Sequence, residues 1–278
     1  GRADRHVVAV GGDGALTGGM TWEALNNISD DNDRNLIIIV NDNGRSYAPT
    51  IGGMARYLNR VRTGPSYRAM YRSSGQVFGK FGAAGRAMYR GLRGGTHGFL
   101  SRLTNNAALY SNLDIKYLGP VDGHDLEAMI ETLQMAKSYG APVIVHTITE
   151  KGRGYQPALD DHDDQFHAVG KINPDTGASM SKSSVPGWTD VFAEELVRIG
   201  EQRADVIAIT AAMLRPTGLA PFAERFPDRT YDVGIAEQHA VTSAAGMAYG
   251  GLHPVVAMYA TFMNRAFDQV LMDVGLHR

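Results

Sequence analysis

His6-Val7-Val8-Ala9-Val10-Gly11-Gly12-Asp13-Gly14 and, one helix later, Leu36-Ile37-Ile38-Ile39-Val40-Asn41-Asp42-Asn43 are the stretches whose reading decides the fold. Each begins as a short β-branched run, which reads as a buried strand, and each ends in residues that break a strand. Between them, residues 20–28 (MTWEALNNI) place apolar side chains at helical spacing. The unit is therefore strand, tight turn, helix, strand, with polar side chains at the carboxyl ends of both strands. In an open parallel sheet, ligands bind at that edge.

Those side chains suit a diphosphate held through magnesium. Mg2+ takes oxygen ligands in near-octahedral geometry, usually one or two from protein and the rest from phosphate and water. Asp13 offers a carboxylate, Asn43 a neutral amide oxygen, and the peptide carbonyl of Arg45 a third oxygen. Gly12 and Gly14 let the backbone come close to phosphate. Taken singly, Gly-Asp-Gly is no more than a turn and Asn-Asp-Asn no more than a loop. The pair, each after its own strand, points to a site.

The 278 residues suffice for one large domain or two ordinary ones. A net charge of −2 argues against general attraction to nucleic acid or an anionic membrane. The absence of cysteine excludes disulfides and thiolate metal sites. No apolar stretch approaches the ~20 residues that span a bilayer, and the first residues lack a signal-peptide pattern. A cytoplasmic enzyme is the default expectation. Residues 271–278 read as mid-helix without a cap signal, and the chain starts with Gly1, so it reads as an interior piece of something longer.

Along the chain, residues 54–61 have helical character, and 68–97 form a basic, glycine-dotted excursion. Residues 113–118 read as a strand, followed by a Gly-Pro loop in which Asp122 or Asp125 caps a helix over 126–138. Leu126, Met129, Ile130, Leu133 and Met135 or Ala136 make the expected apolar stripe of that helix. His124 either faces the site or serves as a capping or core histidine. Residues 142–148 read as another buried strand. The run Asp160-Asp161-His162-Asp163-Asp164 reads as a solvated acidic loop rather than a metal cluster, since consecutive side chains cannot all point one way. Residues 170–187 are linker-like.

A second parallel α/β layer follows: helix 188–199, strand 206–210, helix 221–226, strand 230–234, a small-residue helix starting near Glu237, strand 254–258, and a helix from Met263 that carries Arg265. Glu237 stands at its helix start, where desolvation and the helix N-terminus act on its charge in opposite directions. Tyr259 and Phe262, after the last strand, can present a flat face to an aromatic ligand or belong to a core or interface.

Taken in order, VAVGGDGALTGGMTWEALNN, NDN, GPVDGHD, KGRGY, FHAV, FPDRTYDVGIAEQHAVTSAAGMAYGG and YATFMNRAFDQVLMDV resemble the 1-deoxy-D-xylulose-5-phosphate synthase family over nearly the whole chain. The last two segments carry most of the specificity, because many thiamine diphosphate enzymes share the metal motif. The resemblance implies an α/β fold of two parallel-sheet thiamine-diphosphate-binding domains of the transketolase type, both incomplete. Residues 1–169 would be the C-terminal part of the diphosphate- and Mg2+-binding domain, 170–187 a linker, and 188–278 the N-terminal part of the pyrimidine-binding domain. It also implies condensation of pyruvate, with decarboxylation, with D-glyceraldehyde 3-phosphate, feeding isoprenoid, thiamine and pyridoxal synthesis, in a homodimer.

Position by position, the resemblance gives Asp13 and Asn43 the Mg2+, together with the Arg45 carbonyl. Gly14, Ala15 and Tyr155 would line the cofactor, and Lys151 would lie near its diphosphate or reacting end. Glu237 would hydrogen-bond the pyrimidine and Phe262 would stack on it. Tyr259, Arg265 and His167 would face substrate, His167 for proton transfer and Arg265 for an anionic group. Two positions depart from the family pattern: Gly11, where an aliphatic residue is usual, and Arg215, where a small one is. The rival readings are another transketolase-like thiamine enzyme and a non-catalytic cofactor-binding paralogue. The 278 residues alone are expected to be inactive.

Overall fold

The computed structural model describes residues 5–30, 33–47, 49–63, 113, 115–180 and 185–277. The chain forms two compact units, one of Gly1–Gly44 and Gly53–Glu150 and one of Arg45–Gly52 and Lys151–Arg278. The division falls at 150/151, ahead of the 169/170 boundary expected from composition, because the loop after residue 150 packs with the second unit. The 68–97 excursion lies outside the described residues.

The first unit is a parallel sheet in the order β1-β2-β4-β3. Its strands are β1 (Val7–Gly12), β2 (Leu36–Asp42), β3 (Lys116–Asp122) and β4 (Val143–Ile148). β4 is buried along its whole length. Alternation along it sends Ile144 to a core with Leu16, Leu25, Val40 and Leu58. Val143 and Val145 go to a second core with Leu118, Val121, Ala128 and Ala136. Helices α1 (Gly19–Ser29) and α2 (Gly52–Thr63) supply Leu25 and Leu58 to the first core, and α3 (Leu126–Ser138) supplies the two alanines to the second. These are the two helical layers that a buried parallel sheet requires.

Three expectations need correction here. β1 is not buried: Val7, Val8 and Val10 are 65%, 50% and 71% exposed. It is an edge strand with β2 as its one neighbour among the described residues. β3 does not end at Leu118 but runs on through Gly119-Pro120 to Asp122, with a register shift between Leu118 and Val121. Proline is tolerated there because β3 is the other edge. The buried face of α3 is also rotated from the expected stripe. Ala136, Met129 and Leu133 of the expected stripe do pack on the sheet, joined by Ala128, while Leu126 and Ile130 are exposed. Asp125 is its N-cap, accepting from the Ala128 N–H at 3.0 Å.

The second unit holds a parallel sheet in the order β6-β5-β7. It runs α4 (Gln156–Asp160), α5 (Trp188–Gln202), β5 (Val206–Thr210), α6 (Ala220–Arg225), β6 (Thr230–Asp232), α7 (Glu237–Tyr249), β7 (His253–Val256) and α8 (Ala260–Met263). A 3-10 turn, α9 (Phe267–Gln269) and a π-helical segment (Val270–Gly275) follow. β5 is the central, fully buried strand. Its Val206 and Ala208 meet Leu196, Leu219 and Phe222. Its Ile207 and Ile209 meet Ala240 and Ala244, the small residues of α7. Among the described residues, no helix is long and apolar enough to cross a membrane.

Candidate functional site

In the first unit, β1 runs straight into a 3-10 turn, Asp13–Thr17. The turn's carbonyls are tied down by later side chains: Thr17 Oγ1 donates to the Gly14 carbonyl at 2.7 Å, Thr21 Oγ1 to that of Ala15 at 2.8 Å, and Trp22 Nε1 to that of Leu16 at 3.1 Å. Asp13 is 1% exposed. The Asn43 N–H donates to Asp13 Oδ1 at 3.4 Å, so the two expected metal-holding residues meet. A Cβ built on Gly12 meets no heavy atom within 4 Å. Nothing in the packing of the described residues calls for glycine at that position.

The end of β2 is welded to β4. Thr149 N–H donates to the Asp42 carbonyl at 2.9 Å, and Thr149 Oγ1 donates to Asn41 Oδ1 at 2.6 Å. On the opposite face of β2, Asp42 is fully buried; its Oδ2 lies 3.0 Å from His146 Nε2, and the Tyr117 hydroxyl lies 2.6 Å from His146 Nδ1. Reading the sequence missed this Asp42–His146–Tyr117 chain. The signal was a histidine inside the otherwise apolar run of β4, and strand alternation already separates Asp42 from its flanking asparagines. His124 is resolved as a loop clamp, its Nε2 accepting from the Glu150 N–H at 2.8 Å.

In the second unit, the carboxyl ends of the strands are stitched together. Asp232 Oδ1 accepts from the N–H groups of Ala212 and Gly234 at 2.8 and 2.9 Å. Thr210 Oγ1 donates to the Ala257 carbonyl at 2.9 Å. These contacts aim the first turn of α7, which carries Glu237, 3% exposed. Arg265, expected to face an anionic substrate group, has its Nη1 2.7 Å from Glu237 Oε2. The approach is an ion pair without hydrogen-bond geometry, so Oε2 remains buried and without a hydrogen bond. Tyr259 and Phe262 have nearly parallel rings, 12° apart with centroids at 6.1 Å.

The loop after β4 gathers Lys151, Tyr155 and His167. The Tyr155 hydroxyl is buried with no hydrogen-bond partner, and its ring meets Phe166 edge-on at 5.9 Å. Lys151 Nζ reaches the carbonyls of Ser46 and Asp164 and the Nδ1 of His167. Burial first, and the Lys151 charge second, hold His167 below the ordinary imidazole range, with Asp164 opposing. The acidic run is structural: Asp161 accepts from the N–H groups of Asp163 and Phe166, and Asp164 from those of His167 and Ala168. Arg45 donates from Nη2 to the Asp163 carbonyl at 2.7 Å. Arg215 pairs with the Asp163 carboxylate at 3.2 Å, an exposed contact.

Residues 1–149 match a family model described as 1-deoxy-D-xylulose-5-phosphate synthase, and residues 184–278 match one described as the transketolase pyrimidine binding domain. The 1-deoxy-D-xylulose-5-phosphate synthase of Leifsonia xyli subsp. xyli is 72% identical over 278 residues, covering 100% of this chain and 43% of the relative. That of Tropheryma whipplei (strain Twist) is 61% identical over 280 residues, covering 99% and 44%. The chain thus spans less than half the length of these curated relatives. Among solved structures, a transketolase from Campylobacter jejuni shows a weak likeness, with a TM-score of 0.34 and 14% identity over 96% of this chain and 45% of that one.

Proposed function

Because the chain belongs to the 1-deoxy-D-xylulose-5-phosphate synthase family, we propose that it carries cofactor-gripping residues of an enzyme that joins pyruvate, with loss of carbon dioxide, to D-glyceraldehyde 3-phosphate. The product would be 1-deoxy-D-xylulose 5-phosphate, made in the cytoplasm by a homodimer and passed to isoprenoid, thiamine and pyridoxal synthesis. The observation that carries the reading is the buried Asp13 carboxylate beside Asn43, at the carboxyl ends of two adjacent parallel strands, with open space at Gly12.

The residues present fit thiamine diphosphate and Mg2+. One carboxylate and one amide oxygen is the sparse protein donor set that Mg2+ accepts when phosphates supply the rest. A buried hydroxyl on Tyr155, without a hydrogen bond among the described residues, is a polar atom that a ligand would satisfy. Asp13 and Asn43 would hold the metal with the Arg45 carbonyl, and Gly14, Ala15 and Tyr155 would line the cofactor. Glu237 would hydrogen-bond the pyrimidine nitrogen and Phe262 would cover that ring. When bound, thiamine diphosphate supplies the carbon nucleophile and the electron sink for decarboxylation. Arg265, paired with the Glu237 carboxylate, would also face an anionic substrate group. Tyr259 and His167 would face the substrates, and Lys151 would lie near the cofactor's diphosphate or its reacting end.

The test is turnover by the full-length protein, supplied with both substrates, thiamine diphosphate and Mg2+. Product should form, and Glu237→Ala should lose most of it; near-normal turnover in that variant rejects the assignment. Faster consumption of ketose phosphates than of pyruvate would favour a transketolase instead.

A further inference from the structure

We propose that Lys151 is a positioning residue that locks His167 in the neutral tautomer with its proton on Nε2, making His167 a hydrogen-bond donor to a substrate oxygen rather than a base. The first half stands on geometry alone; the second rests on the reading that His167 faces substrate.

Lys151 Nζ lies 2.6 Å from the Ser46 carbonyl, 2.8 Å from the Asp164 carbonyl and 2.9 Å from His167 Nδ1. An ammonium group has three donors and no acceptor. Each of those three neighbours must therefore offer a lone pair. A proton on Nδ1 would set one N–H against another at hydrogen-bond distance. In a neutral imidazole one nitrogen donates and the other accepts, so the proton belongs to Nε2. Nε2 carries no hydrogen bond among the described residues, and His167 is an exposed residue.

The ring is fixed on its other sides as well. Tyr47 lies against it, with centroids 4.0 Å apart and planes at 49°. The backbone leading into it is held in an uncommon conformation: Gln165 and Phe166 have φ of 51° and 55°. Consecutive left-handed residues other than glycine persist only where the surroundings impose them. Here the Asp161 and Asp164 carboxylates impose them by accepting four backbone N–H groups of the loop. The titratable or charged groups facing the imidazole are Lys151, Asp164 and Tyr47, with Arg45 and Arg215 one step away on Asp163. Desolvation and Lys151 together disfavour the imidazolium more than Asp164 favours it. A neutral imidazole with its N–H outward polarises an oxygen; it cannot take up a proton at the nitrogen that already holds one.

The experiment is long-range proton–nitrogen correlation NMR of the 278-residue chain carrying 15N-histidine, recorded across a pH series without cofactor or substrate. A His167→Gln sample assigns the signal. The expected pattern is a protonated Nε2, an unprotonated Nδ1, and conversion to imidazolium only at a pH below the ordinary ~6.5. Lys151→Met should abolish the tautomer preference and move the titration upward, while Lys151→Arg should keep the tautomer. The other histidine signals certify that each variant is folded. A proton on Nδ1 in the unaltered chain overturns the proposal, as does a Lys151→Met chain with the same tautomer and the same titration. Because no cofactor is present, neither result depends on whether the proposed reaction is the right one.

Discussion

Replacing Gly12 by alanine should separate the stability of the fold from its affinity for the cofactor. Gly12 has φ −77° and ψ 159°, extended backbone open to any residue. An added Cβ meets nothing within 4 Å. Filling such a position normally stabilises by about 0.4–1 kcal/mol, by restricting the unfolded chain. With about 2–4 °C of melting temperature per kcal/mol in a domain of this size, Gly12→Ala should melt roughly 1–4 °C higher. If a diphosphate uses the open space, the methyl group intrudes on it. An overpacking cost of about 1–3 kcal/mol corresponds to roughly 5- to 150-fold weaker binding of thiamine diphosphate in excess Mg2+. Gly11→Ala is the control: its Cβ also meets nothing within 4 Å, and alternation points it to the opposite face of β1. It should share the rise in melting temperature and bind normally. Calorimetric titration and thermal melts of the three chains decide the matter. Unchanged binding by Gly12→Ala, or equal weakening by both alanines, would refute the reasoning.

Three further outcomes follow from the packing. Tyr117→Phe removes the hydroxyl on His146 Nδ1 and leaves a buried ring nitrogen unsatisfied, so denaturant unfolding should report a loss of about 1–3 kcal/mol; a change under about 0.5 kcal/mol would show that the chain beneath β2 is idle. Gly200→Ala should lower the melting temperature although alanine favours helix by about 1 kcal/mol, because its Cβ would stand 2.6 and 2.7 Å from ring atoms of Phe222 and Phe226; a higher melting temperature would contradict that packing. Burial would raise the Asp161 carboxyl, but the N–H groups of Phe166 and Asp163, with Asp164, hold it below the usual range. A depressed carboxylate contributes stability that is complete above its unfolded value near ~3.9 and is lost as pH falls through its folded value. Proteolysis within 161–168 should therefore rise only below about pH 4, and Asp161→Asn should remove that pH dependence.

The parts of the fold legible in the sequence were those set by period and by punctuation. β2, β4 and β5 are built on apolar, largely β-branched runs, and the structure places them inside their sheets. The cap at Asp125 and the acid in the first turn of α7 also followed from residue type alone. What was not legible depended on neighbours distant in sequence. β1 has the same composition as a central strand, and only the pairing order makes it an edge. Gly119-Pro120 punctuates like a loop but continues an edge strand. In the candidate site, the approach of Asn43 to Asp13 was legible because their spacing follows the strand–helix–strand unit. Lys151 and His167, Glu237 and Arg265, and Asp42, His146 and Tyr117 are pairings made by the fold, and no spacing announces them. Arg215, a departure in the sequence, acquired a partner in Asp163 once the acidic loop was placed.

The central proposal is that Asp13 holds a diphosphate through Mg2+ and that Glu237 hydrogen-bonds the thiamine heterocycle. Titrating the chain with thiamine diphosphate and, separately, with inorganic pyrophosphate, each with and without Mg2+, tests it most directly. The account predicts that binding of both ligands needs Mg2+ and is lost in Asp13→Ala, whereas Glu237→Gln weakens thiamine diphosphate and leaves pyrophosphate unchanged. Metal-independent binding, or a Glu237→Gln chain that distinguishes neither ligand from the unaltered one, would contradict it.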